Sequence, residues 1–145
     1  GYIMTFDELQ ELAEKDLKIN DTELDLESLK TPQLHNKYMK FHNQYVNLLK
    51  KAEQDLARLT REKWEYYTGK ADPSVYQERP FNLKILKQDV DKYLKADDDL
   101  IKLEQKVTYV QSVVDYLDRT IKIISNRGFQ IKNAIDWRKF TSGVI

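Results

Sequence analysis

From Leu100 to Ile124 apolar residues recur every three and four positions without a miss: Leu100, Val107, Val114 and Ile121 alternate with Leu103, Val110, Leu117 and Ile124. This heptad pattern is satisfied by helices packed on other helices. Between Pro32 and Gly69 there is neither glycine nor proline, and Leu34, Tyr38, Phe41, Tyr45, Leu48, Ala52, Leu56 and Leu59 recur at helical spacing. That stretch predicts one helix about 55 Å long. With 4 Gly and 3 Pro in 145 residues, 33% of them charged, the chain has too few breakers for a turn-rich fold. The expected fold is all-α: a long antiparallel helical hairpin with short terminal helices, in a single domain covering residues 1–145.

The breaks follow from local signals. Thr5 with Glu8 forms a capping-box pattern, so a first helix should run to about Lys15. Residues 16–30 lose the periodicity and read as a connector. Thr31 and Pro32 read as the cap and first position of the long helix. Gly69 suits the left-handed residue that ends it, and Gly69 to Pro80 is the principal loop. Leu86 and Tyr93 extend the heptad row backwards, and Gly128 should interrupt the second helix before a short basic, apolar segment carrying Phe129, Ile131, Ile135, Trp137 and Phe140. Gly1, Tyr2 and Ile3 stand before Met4 and read as expression remnants.

Two seams and this terminal segment exceed what a single hairpin can bury, so further copies should supply the missing surface. The residues expected to mediate self-association are Leu103, Val107, Val110, Val114, Leu117, Ile121, Ile124, Phe129, Ile131, Ile135 and Trp137. A monomeric bundle with the terminal helices as lids is the alternative.

Composition excludes several kinds of function. With no Cys there is no disulfide framework, thiolate metal site or cysteine nucleophile. No apolar run approaches the roughly 20 residues of a membrane span, so a soluble protein is expected. His35 and His42 lie seven apart, about 10 Å along a helix, and read as surface histidines rather than metal ligands. The triplet Asp97, Asp98, Asp99 points in different directions on a helix and reads as a solvated face. No phosphate-binding glycine loop, nucleophile elbow or zinc-protease motif occurs. Neither an enzyme nor a bound cofactor or metal is expected.

Charge is balanced overall, 24 against 24, but successive segments 1–30, 31–70, 71–118 and 119–145 carry net −6, +4, −3 and +5. Basic blocks bind an anionic polymer through local potential even in a neutral protein. In the first of them, Arg61, Lys63 and Lys70 mix with Trp64, Tyr66 and Tyr67. Cations for phosphates beside rings for bases suit single-stranded nucleic acid. Against this, Tyr66 continues the apolar row 38, 45, 52, 59 and belongs equally well to a core.

The stretch Arg61-Glu62-Lys63-Trp64-Glu65-Tyr66-Tyr67-Thr68-Gly69 resembles the Tyr-Tyr-[Ser/Thr]-Gly helix end of the UvsY family of myophage recombination mediators. Ile124-Ser125-Asn126-Arg127-Gly128-Phe129-Gln130-Ile131-Lys132 is similar to that family's Ser-Arg-Gly-Phe-x-Ile-Lys stretch. Phe6-Asp7-Glu8-Leu9-Gln10 and Ile19-Asn20-Asp21-Thr22-x-Leu24 are similar to its N-terminal pattern. The order and separation of these motifs agree from Met4 onward. The resemblance implies a protein of the infected host's cytoplasm that binds single-stranded DNA and contacts a UvsX-type recombinase and the phage single-strand-binding protein. It also implies a ring-shaped homo-oligomer, with seven copies preferred. The family's two DNA-contacting basic positions fall on Arg61 and Lys63 with Lys and Arg exchanged, and Trp64 stands where the family has an aliphatic residue. A helical scaffold or adaptor without nucleic-acid affinity, and a membrane-surface module using the basic tail, are the competing classes.

Overall fold

The computed structural model describes residues 4–143. Among them all regular structure is helical: α1 (Phe6–Leu17), α2 (Leu24–Tyr67), α3 (Pro73–Glu78), α4 (Val90–Lys95) and α5 (Asp98–Thr141). A single 3-10 turn, Lys87–Asp89, precedes α4. The remnant reading of Gly1–Ile3 lies outside the described residues. Two compact units are present, one formed by residues up to Tyr45 with Ser112 onward, the other by Val46–Gln111. Both long helices pass through each unit.

In the first unit α1 and the flanking parts of α2 and α5 pack together. The Thr5 hydroxyl accepts the Glu8 N–H at 3.2 Å, as the capping box requires, and α1 continues to Leu17 rather than Lys15. Its inner face, Leu9 and Ala13, is fully buried. The Tyr45 hydroxyl donates to the Met4 carbonyl at 2.8 Å. At the other end of α1, Asp16 accepts from Lys37 and from the Tyr38 hydroxyl at 2.7 and 2.9 Å. These pairs fix α1 antiparallel to α2. Burial first, then the Asp16 carboxylate, raises the Tyr38 phenol above its usual pKa.

The long helix starts earlier than Thr31–Pro32 indicated. Asn20 accepts the Thr22 N–H and hydroxyl at 3.0 and 2.6 Å, an Asx turn that launches α2 at Leu24, and Pro32 lies inside the helix. A proline there removes the ladder bond to Ser28 and crowds the preceding turn. That turn is held from outside. Arg127 on α5, 2% exposed, donates to the Glu27 carbonyl and carboxylate and, at 2.8 Å, to the Thr31 hydroxyl. With His42 on Asp118 at 2.9 Å, the same contacts set α5 antiparallel to α2 within this unit. His42 is therefore partnered and half-buried rather than a surface group.

Gly128 does not interrupt α5, which runs unbroken to Thr141. Positive φ among the described glycines occurs at Gly69 and Gly143. Gly128 keeps helical geometry because its neighbours Arg127 and Ile131 are anchored in the core. The heptad is also turned from the expected seam. Val110, Val114, Leu117, Ile124 and Ile131 are buried, but their partner row is Val113, Thr120 and Arg127, whereas Val107 and Ile121 are only half-buried. Two polar residues hold heptad positions: Thr120 donates its hydroxyl to the Tyr116 carbonyl, and both terminal nitrogens of Arg127 reach α2, while its Nε is buried without a hydrogen-bond partner.

Removing one partner of a buried ion pair strands the other charge. Arg127→Met should therefore cost about 3–5 kcal/mol in urea unfolding, while Arg127→Met with Glu27→Leu should recover most of that loss.

Candidate nucleic-acid interface

The second unit is organised by the way α2 ends. Tyr67 is the last helical residue, and Gly69, at φ +76°, turns the chain. The Lys70 N–H bonds the Glu65 carbonyl at 2.8 Å and the Gly69 N–H the Tyr66 carbonyl at 3.3 Å, the paired bonds of a Schellman cap. The segment after it is only partly loop: Asp72 caps α3 through the Ser74 N–H, with Pro73 at the first position. Tyr76 on α3 then returns its hydroxyl to the Tyr66 carbonyl at 2.8 Å. Residues 80–86 are not helical, so Leu86 does not extend the α5 row, and Asp97 separates α4 from α5. Pro80 holds the residue before it in extended backbone, which ends α3.

Aromatic rings close around the cap. Tyr66 stacks on Tyr76 with centroids 5.4 Å apart. Tyr67 meets Phe81 edge-on at 5.3 Å and Tyr93 at 5.6 Å. Below them lies an ion network that overturns the solvated-face reading for Asp97 and Asp99, while Asp98 is exposed as that reading expects. Asp97 is buried; it accepts the Leu100 N–H at 3.0 Å, capping α5, and the Tyr67 hydroxyl at 2.6 Å. The Lys63 ammonium sits between Asp97 at 3.2 Å and Asp99 at 2.7 Å, with its side chain 12% exposed. Arg79 donates to the same Asp99 oxygen at 2.8 Å.

The charges are held in place by these bonds. Hydrogen bonds from Lys63, then Arg79, bring the Asp99 carboxyl down to about 2. Burial works against Asp97, yet Tyr67, Leu100 and Lys63 keep it below the usual carboxylate range. Burial likewise opposes Lys63, and its two carboxylates outweigh it and raise the ammonium's pKa.

The sequence-predicted residues consequently divide by face. Lys63 and Tyr67 point into this network, and Tyr66 is held beside it by the Tyr76 ring and by its hydroxyl bond to the Arg79 carbonyl. Arg61, Trp64 and Lys70 are exposed; Arg61 has only a 3.8 Å contact with Glu65, and the Lys70 ammonium lies 4.5 Å over the Trp64 ring. Of the residues expected to mediate self-association, Val110, Val114, Leu117, Ile124 and Ile131 are buried within the chain. Leu103, Val107, Ile121 and Ile135 are half-buried, while Phe129 and Trp137 are 69% and 65% exposed. Sequence reasoning missed Asp97, Asp99, Arg79, Tyr76, Phe81 and Tyr93. The readable signal was Asp97 itself, an aspartate directly before the first heptad turn.

Residues 12–144 match the model of the family described as recombination, repair and ssDNA binding protein UvsY. The chain belongs to the UvsY family. It is 26% identical over 140 residues to the recombination protein uvsY of Enterobacteria phage T4, covering 97% of this chain and 99% of that one. Two crystal forms of the bacteriophage T4 recombination mediator protein UvsY share its fold. One, at 26% identity, has a TM-score of 0.85 and coverage of 97% and 99%; the other, also 26% identical, has 0.81 with 92% and 98%. The UvsY family is thus one of helical phage proteins of recombination and repair that bind single-stranded DNA. No helix among the described residues is long and apolar enough to cross a membrane.

The ion network has a pH signature. Asp97 and Asp99 have depressed folded pKa values, so the stability they confer is complete above the unfolded value of about 3.9 and is lost as pH falls toward about 2. Near-UV circular dichroism of the tyrosines should collapse across that window. Asp99→Asn should lower stability at neutral pH and shrink the acid-induced change.

Proposed function

We propose that this chain is a recombination mediator that acts without catalysis. It binds single-stranded DNA and promotes loading of a UvsX-type recombinase onto DNA covered by the phage single-strand-binding protein, in the cytoplasm of the infected host. The observation that carries the reading is the face at the end of α2. Arg61 and Lys70 present cations and Trp64 an indole, in a family described as binding single-stranded DNA. Lys70 leaves the ring for a phosphate as a base takes its place on Trp64. Stacking of this kind is worth about 1–3 kcal/mol per base and is indifferent to sequence.

Lys63, Tyr66 and Tyr67 serve the same site from beneath, fixing the helix end that carries the exposed groups. Copies of the chain associate through the exposed end of α5, with Phe129, Ile135, Trp137 and the neighbouring Phe140, into a ring of seven. Trp137 and Phe140 lie 5.8 Å apart with near-parallel rings, and exposed aromatic surface of this kind favours a partner. A ring repeats one modest DNA contact many times, so effective concentration supplies the affinity. Holding DNA in a path that favours the recombinase over its competitor shifts a population with no chemical step.

Fluorescence anisotropy of a labelled oligo-dT against salt tests this. Arg61→Ala with Lys70→Ala should flatten the salt dependence by about 0.7 for each phosphate no longer neutralised, with an unchanged melting temperature. Lys63→Ala should weaken binding and also lower the melting temperature. An unchanged slope in the first variant would contradict the site.

A further inference from the structure

Between α2 and α5 the second unit holds a groove of about 550 Å³ lined by Leu59, Asp99, Lys102, Leu103, Gln105 and Lys106. Its floor is aliphatic, Leu59 from α2 and Leu103 from α5. Lys102 and Lys106 are exposed, lie one helical turn apart and have no ion-pair partner among the described residues. Their one carboxylate neighbour in the lining, Asp99, already holds both Lys63 and Arg79 on a single oxygen. The groove therefore presents two cations without ion-pair partners over an apolar floor, beside a carboxylate whose charge is already shared by Lys63 and Arg79. Its volume lies within the range of sites that take a small organic group.

We infer that this groove is a second contact site for single-stranded DNA, in which Lys102 and Lys106 hold backbone phosphates and Leu59 with Leu103 receives the face of a sugar or base. Lysines four apart on a helix stand about 5–6 Å from each other at Cβ, which suits neighbouring phosphates of one strand. Two ammonium groups without carboxylate partners complement an anionic ligand, and the aliphatic floor distinguishes a nucleotide from a bare anion. The inference rests on the single-stranded DNA reading above and adds a site that its α2 residues do not form.

The test is anisotropy of labelled oligo-dT against salt for the full chain, with light scattering on the same samples. Lys102→Ala with Lys106→Ala is compared with Lys92→Ala with Lys95→Ala, which removes the same charge from α4. The groove variant should show a salt slope reduced by about 0.7 per lysine relative to the control, at unchanged mass and circular dichroism. Photocrosslinking of thiothymidine-substituted oligo-dT to the wild type should label residues 102–106. A groove variant indistinguishable from the control, or absence of that crosslink, overturns the inference. So does a fall in mass, which would make the groove a contact between copies. If the wild type binds no oligo-dT even at low salt, the reading beneath it falls as well; wild-type binding abolished only by the Arg61 and Lys70 substitutions overturns the groove alone.

Discussion

One buried carboxylate governs the geometry of the second unit. Asp97 caps α5 through the Leu100 N–H and simultaneously takes the Tyr67 hydroxyl and the Lys63 ammonium from the end of α2. A carboxylate removed from water is stable only when its lone pairs are filled by well-placed donors, and here a helix end, a phenol and a cation supply them. Because Lys63 and Tyr67 are committed inward, the helical period turns Arg61 and Trp64 outward. The position of the exposed face is thus a consequence of the buried one.

The first unit uses the same device with the sign reversed. There the buried charge is a cation, Arg127, at a heptad position where an aliphatic residue would ordinarily stand. Its hydrogen bonds reach the turn of α2 just before Pro32, where the backbone ladder is weakest. An aliphatic residue would fill the space but leave that turn unsupported. A directional group also fixes the register of α5 against α2, which apolar packing alone leaves loose.

Periodicity made the helices legible. All eight apolar positions read from Leu34 to Leu59 are buried or half-buried, and Gly69 and the Thr5 capping box fall where their local chemistry places them. The misread points were those where tertiary contacts override a local signal. Pro32 is carried inside a helix by Arg127, a residue 95 positions away, and Gly128 is kept helical by anchored neighbours. Asp97 and Asp99 looked solvated because their partners, Lys63, Tyr67 and Arg79, lie 20 to 36 positions away in the chain. For the candidate site, composition singled out the segment Arg61 to Lys70, and packing then separates the exposed Arg61, Trp64 and Lys70 from the partnered Lys63, Tyr66 and Tyr67. The family resemblance agrees with the match over residues 12–144, which takes in three of the four motif stretches.

The division of that segment into an inner and an outer face is measured most directly by lysine reactivity. Brief amine acetylation, followed by peptide mass spectrometry, reports the exposure of Lys63 and Lys70 separately, with and without oligo-dT. Lys70 should react quickly in the free protein and be protected by DNA, while Lys63 reacts slowly in both states. Equal reactivity of the two lysines in the free protein, with DNA protecting Lys63 instead, would contradict the division.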